Sequence, residues 1–453
     1  MRTLICFCIV ARFVSVSAQS AHTEIAVQLK DKGLQELSAY EMLKDLTGNV
    51  GHRLSGSAGY DKAVAWGKES LEKAGADSVW LEPVMVPHWV RGNIERAFVQ
   101  TTRGKQELTI CALGGTIGTG KQGIRGGVIE VRSFDELKNR ASQAKGKIIF
   151  FNRPFDKTKV NTGEAYGGAV NQRSNGAIEA AKVGAIGVLV RSMTNVIDDV
   201  PHTGAMGYAD SIPKIPAAAI STLDANMLSD LIRDEGSVTV SIELSAKKYD
   251  DVPSFNVIGE IRGTDHPEEI VLVGGHLDSW DKGTGAHDDG SGVVQSIEVI
   301  RLLHSLPSRS KRTIRTILFA NEENGLRGGK AYAARLENVK EKHLAAIESD
   351  AGGFLPRAFG VSADSLTFEK ISAYLQLLSV AGIDKIEKGG GGADISQLKK
   401  FGTAMIGLDP KAQRYFDYHH SDHDTIDKVH PRELELGAIA MSILAWAIAQ
   451  DGL

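Results

Sequence analysis

Gly274-Gly-His-Leu-Asp-Ser-Trp-Asp-Lys-Gly-Thr-Gly-Ala-His-Asp-Asp-Gly-Ser-Gly292 follows the apolar run Ile270-Val-Leu-Val and precedes Val293, Ile297, Ile300 and Leu303. An unbroken apolar run bounded by glycine reads as a strand buried on both faces. Apolar residues three and four apart read as one face of a helix. Such a pair of elements usually needs only a few connecting residues. Here the connection is longer and sets acids and histidines among glycines, whose backbone can turn tightly and approach an ion closely. Working outward, strands are expected at 255–261, 316–320, 345–348 and 404–408, and a long apolar helix at about 433–449. The alternation predicts an α/β fold, a mostly parallel central sheet sandwiched by helices.

The chemistry-bearing residues fall at the ends of these strands. His276 and Asp278 sit just past one, Glu322 and Glu323 past the next, and Asp350 past a third. In open α/β sheets ligands bind at the carboxyl ends of strands. Five residues, His276, Asp288, Glu323, Asp350 and His420, have the side chains that zinc takes, imidazole nitrogen and carboxylate oxygen. Two zinc ions balance the charge of three carboxylates and one bridging hydroxide, and a shared carboxylate can hold two ions about 3.5–4 Å apart, the spacing used in hydrolysis. Asp288, near a helix start, is electrostatically favoured there. Glu322 is left over beside a ligand and is expected to act as general base. Asp278, two residues beyond His276, is expected to hold the second N–H of that imidazole. His287 is expected to line the cleft or face solvent, and Trp280 and Asp281 to shape the loop. Arg53 and Trp89–Arg91 are expected to be fold and interdomain elements.

At these positions the chain resembles the co-catalytic zinc aminopeptidase and glutamate-carboxypeptidase superfamily, and within it the carboxypeptidase Q branch. The resemblance rests on His-x-Asp at 276, Gly-Ala-x-Asp-Asp-x-Ser-Gly at 285, Glu322-Glu323, Asp350 and Tyr415-Phe-Asp-Tyr-His-His-Ser421. Gly51-His-Arg-Leu-Ser-Gly-Ser57 and Glu82-Pro-Val-Met-Val-Pro-His-Trp-Val-Arg-Gly92 extend it from about residue 40 to the end. It implies that His276 and Asp350 hold one zinc, that Glu323 and His420 hold the other, and that Asp288 bridges with a cis bond to Asp289. It also implies the choice of His420 over His419. Further implications are an inserted protease-associated type of domain at about 113–246, small peptide substrates with a free N-terminus, and a homodimer. The sequence departs from the pattern at Ile395, where many relatives carry His after the aspartate; Asp394 is expected to line the substrate mouth. Two rival readings share the scaffold: a single-zinc glutaminyl-cyclase-like acyltransferase, and a non-catalytic binding protein. The second carboxylate-rich half-site argues against the first, and the complete ligand set with its base argues against the second.

The rest of the chain sets the context. Its 453 residues suggest two folded units. The catalytic unit is expected to comprise 41–112 and 247–453. The unit at 113–246 has strand-like runs at 146–151, 187–190 and 216–220 but no cluster of His, Asp and Glu, so it is assigned to shaping or covering the site. A net charge of −4 gives no reason to expect nucleic-acid binding, and the basic run at 309–315 reads as the solvated lead-in to a strand. Residues 1–18 resemble an export signal ending at Val16-Ser17-Ala18, with 19–40 a helical lead-in or removable pro-segment. Export to a periplasm, a secretory route or a lysosome is therefore expected. No later stretch is expected to span a bilayer. Cys6 and Cys8 lie in the signal, leaving Cys111 as a buried thiol.

Overall fold

The computed structural model describes residues 22–102 and 104–453; the expected signal at 1–18 lies outside them. The main sheet has eight strands. Their spatial order is Ser78–Val90, Lys247–Ile261, Arg312–Phe319, His266–His276, Lys342–Glu348, Ala404–Pro410, Pro356–Ser362 and Lys385–Lys388. The four strands from Arg312–Phe319 to Ala404–Pro410 are mutually parallel. The flanks are antiparallel where they join this centre, so the sheet is parallel at its centre and mixed overall. That centre is where both faces are covered, and its strands are almost wholly buried.

The helices Ala58–Ala74, Ser291–His304 and Pro431–Asp451 supply much of the main core. Ser57 caps the first, its side chain accepting from the backbone N–H of Tyr60. Pro431–Asp451 has the length and composition of a bilayer-crossing helix, contrary to the expectation that no later stretch would, but its apolar window is 83% buried in the fold. It is a core helix, apolar all round because the fold surrounds it.

A second eight-stranded sheet runs from Gly104–Leu108 through Glu95–Thr101, Thr239–Leu244, Ile124–Val131, Ile148–Phe151, Gly187–Arg191 and Ala217–Ile220 to Ile110–Ala112. It takes in strands from 95 to 112, so it begins before the expected boundary at 113. The chain leaves the main sheet after Val90 and returns at Lys247. Trp89 and Trp280 from the main unit pack into the second unit's core. Arg91 ties the two together, donating to Asp281 (2.9 Å) and to Thr203 Oγ1 (3.2 Å). Buried Cys111, its thiol pushed up to about 12 by burial, is a core residue there.

Residues 22–36 are helical, and Ala26 and Leu29 lie in the main core. Glu435 helps hold this end of the chain, its Oε2 accepting from the backbone N–H of Ala39 (3.1 Å). Burial and the neighbouring Glu298 push Glu435 far above its ordinary 4.5. The folded chain therefore keeps this proton at pH values where the unfolded chain has lost it. The stability it contributes is fully present below pH 4.5 and falls as pH rises, by about 1.4 kcal/mol for each unit crossed. Melting temperature is expected to drop between pH 5 and pH 8 by several degrees more in the wild type than in Glu435→Gln. Parallel pH profiles, measured by scanning calorimetry, would contradict this.

Candidate metal centre

The carboxyl ends of the central parallel strands open on one edge of the sheet, as three separate strand ends predict. His276 is the last residue of its strand. Its Nδ1 lies 2.9 Å from the backbone carbonyl of Asp278, which fixes the tautomer with Nε2 facing the site. The carboxylate of Asp278 is farther, 3.8 Å from Nδ1. That corrects the expected role: the backbone oxygen of Asp278 orients the imidazole. Its side chain accepts instead from the backbone N–H of Glu322 (3.0 Å) and from Ser55 Oγ (2.9 Å), so it positions Glu322.

Asp288 lies in the turn Ala286–Gly290, and its bond to Asp289 is cis, as the resemblance implied. Asp424 anchors this turn, accepting from the backbone N–H groups of His287 (2.7 Å) and Asp288 (3.0 Å). Asp289 accepts from the backbone of His276 (3.1 Å) and Gly292 (2.9 Å), locking strand to helix. Arg53 donates to the carbonyls of Leu277, Thr284 and Gly285 (2.6, 2.8 and 3.0 Å) and so fixes the loop from beneath, consistent with a fold element. A Cβ at Gly275 would meet Asp289 Oδ2 at 2.5 Å, which is why the strand ends in glycine.

The other four expected ligands converge on Asp288. His276 Nε2 lies 3.3 Å from Asp288 Oδ1 and 3.4 Å from Asp350 Oδ1. His420 Nε2 lies 3.1 Å from Asp288 Oδ2 and 3.1 Å from Glu323 Oε2. The two oxygens of one carboxylate thus face two histidine–carboxylate pairs. His419 stacks on His420 at 3.5 Å and approaches Asp288 Oδ2 only to 3.7 Å; His420 alone meets both carboxylates of its half. His420 (φ 60°) and Asn321 (φ 66°) are both left-handed, a backbone state uncommon outside glycine that Asn and His adopt more readily than most residues, and both stand beside the ligands.

Electrostatics give an independent test of fit. Asp288 Oδ2 is buried with the imidazole nitrogens of His420 and His419 at 3.1 and 3.7 Å, and with both rings neutral and protonated on Nδ1 no donor reaches it, an expensive arrangement unless a cation satisfies it. Burial, then the charges of Asp350, Glu323 and Asp278, holds Glu322 well above the ordinary carboxyl range. Burial pulls His420 down, but Glu323 and Asp288 carry it up to about 10. Carboxylates outnumber cations here, and protons fill the deficit that metal would otherwise fill. The donor chemistry and the orphaned oxygen both fit bound zinc.

Around this centre lies a cleft of about 510 Å³, lined by Glu322, Glu323, Asp350 and apolar walls from Leu326, Tyr415 and Phe416, with Tyr166, Arg173 and Ala205 contributed by the second unit. The cleft was legible only from the main-sheet side. Trp280 shapes the loop, its backbone N–H donating to Glu323 (3.2 Å). His287 is buried against Phe354, neither lining the cleft nor exposed; Gly353 donates to its Nδ1 (3.1 Å). Asp394 does not line the mouth. It is buried, with neither carboxylate oxygen hydrogen-bonded, and burial with nearby Glu348 and Glu322 holds it well above its usual range.

Comparison with known proteins agrees with this architecture. The description "Peptidase family M28" matches residues 256–445. Human carboxypeptidase Q is 37% identical over 424 residues, 93% of this chain and 88% of that protein. The Xenopus laevis protein of the same name is 38% identical, covering 95% and 90%. The crystal structure of a peptidase M28 precursor from Shewanella amazonensis SB2B superposes with a TM-score of 0.92 at 36% identity, over 96% of this chain and 98% of that one. A zinc aminopeptidase from Bacillus subtilis shares the fold, with a TM-score of 0.66 at 21% identity over 91% and 94% of the two chains. The chain therefore belongs to peptidase family M28 and is a metallo-exopeptidase.

Proposed function

We propose that the protein holds two zinc ions and hydrolyses dipeptides or short peptides with a free N-terminus. The observation that carries this reading is the position of Asp288, one oxygen toward His276 and Asp350 and the other toward His420 and Glu323. A single-zinc acyltransferase has no use for the second half. When bound, the zinc ions would polarise the scissile carbonyl and make a water acidic enough to serve as nucleophile at neutral pH.

The chain's own residues supply the proton traffic. Glu322 lines the cleft beside ligand Glu323. Asp278 holds its backbone, so the carboxylate is placed without a bond to its own oxygens. It takes the proton of the attacking water and gives it to the leaving amine, the two halves of a general acid–base role. Of the four lining acids three are the expected zinc ligands, which leaves Glu322 as the lining carboxylate not balanced by metal, able to attract the ammonium group of an unblocked peptide. Arg173, the one Lys or Arg among the lining residues, is already engaged by carbonyls and Tyr166.

Assay of the purified protein on dipeptides, N-blocked dipeptides and an N-terminal glutaminyl substrate, with and without a chelator, tests this. Chelator-sensitive cleavage of the unblocked dipeptides is expected, with N-blocking lowering kcat/KM by roughly 10-fold or more, the loss of one charge-assisted contact. Cleavage that survives chelation, or cyclisation of the glutaminyl substrate alone, overturns the reading.

A further inference from the structure

The second unit does more than flank the cleft. Its segment 202–205 is tied to the loop that carries His420, through one backbone–backbone bond and one from a side chain to the backbone. Thr203 N donates to the carbonyl of His420 (2.9 Å), and His202 Nδ1 lies 2.7 Å from the carbonyl of His419. The carbonyl of Thr203 is 3.3 Å from His420 Nδ1. For Nε2 to offer a lone pair toward Asp288 and Glu323, Nδ1 must carry the proton, and Thr203 O is the acceptor placed to receive it.

Arg173 braces that acceptor. Its Nη1 donates to the same Thr203 carbonyl (3.3 Å) and lies farther, 3.5 Å, from His420 Nδ1, so that the carbonyl oxygen is the nearer partner of both nitrogens; its Nε donates to the carbonyl of Ala205 (3.2 Å) and its Nη2 to Tyr166 OH (2.6 Å). Gly204, between the two carbonyls, has φ +134°, and a Cβ there would lie 2.3 Å from Arg173 Nη1 and 2.7 Å from His420 Nδ1. The backbone passes so close to the imidazole that only glycine leaves room for ring and guanidinium together. The segment is anchored in turn by Gly114 N donating to the carbonyl of Gly204 (2.9 Å) and by Thr203 Oγ1 donating to Ala112 O (2.9 Å).

We propose that the second unit is a working part of the metal centre: Thr203, Gly204 and Arg173 are positioning residues that fix His420 in the tautomer and orientation that frees Nε2, so one of the two ion sites is completed only by that unit. The proposal rests on His420 being a metal ligand, as proposed above. Losing an outer partner of this kind typically weakens metal binding about 10–100-fold, and only the half-site of His420 and Glu323 should feel it.

The test is stepwise zinc affinity of the full chain, by competition with a chromogenic chelator, for wild type, His420→Ala, Gly204→Ala and Arg173→Met. Far-ultraviolet circular dichroism of each zinc-free chain monitors folding. Gly204→Ala and Arg173→Met are expected to weaken one zinc about 10-fold or more and leave the other at wild-type affinity, a split that general loosening of the fold would not produce. Arg173→Met keeps the backbone at 204 unstrained and carries the test if Gly204→Ala does not fold. Wild-type affinity at both sites in the folded variants, or equal loss at both, overturns the proposal. Two tightly held zinc ions in His420→Ala would instead overturn the ligand assignment beneath it, whatever the other variants do.

Discussion

Glu322→Gln is expected to lower kcat for a dipeptide by roughly 10²–10⁴-fold, the usual contribution of a positioned general base, while zinc content stays at the wild-type level. The amide has nearly the shape of the carboxylate and cannot accept the proton of the attacking water. No expected ligand atom is removed, because Glu322 lies beside the five-donor set and its backbone is held by Asp278. Elemental analysis alongside steady-state kinetics separates the two roles. Loss of zinc from the variant would make Glu322 a ligand, and near-normal kcat would remove it as the base.

Asp288→Ala is expected to be as damaging by another route. Both carboxylate oxygens face imidazole–carboxylate pairs, so the change strips a donor from each half-site. At least one zinc should be lost. The stabilisation that a lost ion supplies amounts to several kcal/mol, so activity should fall on the order of 10³-fold or more. Two zinc ions retained at wild-type affinity would remove Asp288 as the bridge. Asp424→Asn offers a gentler comparison, since the Asp424 carboxylate accepts from the backbone of the Asp288 turn and is not one of the expected ligands.

Much of this centre could be read along the chain because parallel sheets concentrate function at one end of their strands. His276, Glu322, Glu323 and Asp350 each follow a buried apolar run, and the sequence around Asp288 departs visibly from a short connection. What could not be read was direction. Asp278 sits close enough to His276 for either its side chain or its carbonyl to meet the ring, and only the folded turn sends the carboxylate to Glu322. Asp394 follows the glycine run 389–392, whose composition reads equally as a lip of the site or a surface loop, yet the backbone carries it inward to Glu348. Residues contributed from far along the chain were also out of reach. Tyr166, Arg173 and Thr203 carry no ligand pattern, because two of them act through a ring or guanidinium and the third through its backbone oxygen, which every residue has. The start of the second sheet before residue 113 was missed for a related reason: a sheet is defined by partners, and Glu95–Thr101 pairs with Thr239–Leu244, over a hundred residues later.

Anomalous diffraction at the zinc edge from crystals of the purified protein addresses the pair of ions directly. Two peaks should flank the carboxylate of Asp288, about 3.5–4 Å apart, one against His276 and Asp350 and the other against Glu323 and His420. A single peak, or peaks away from Asp288, would contradict the two-ion centre.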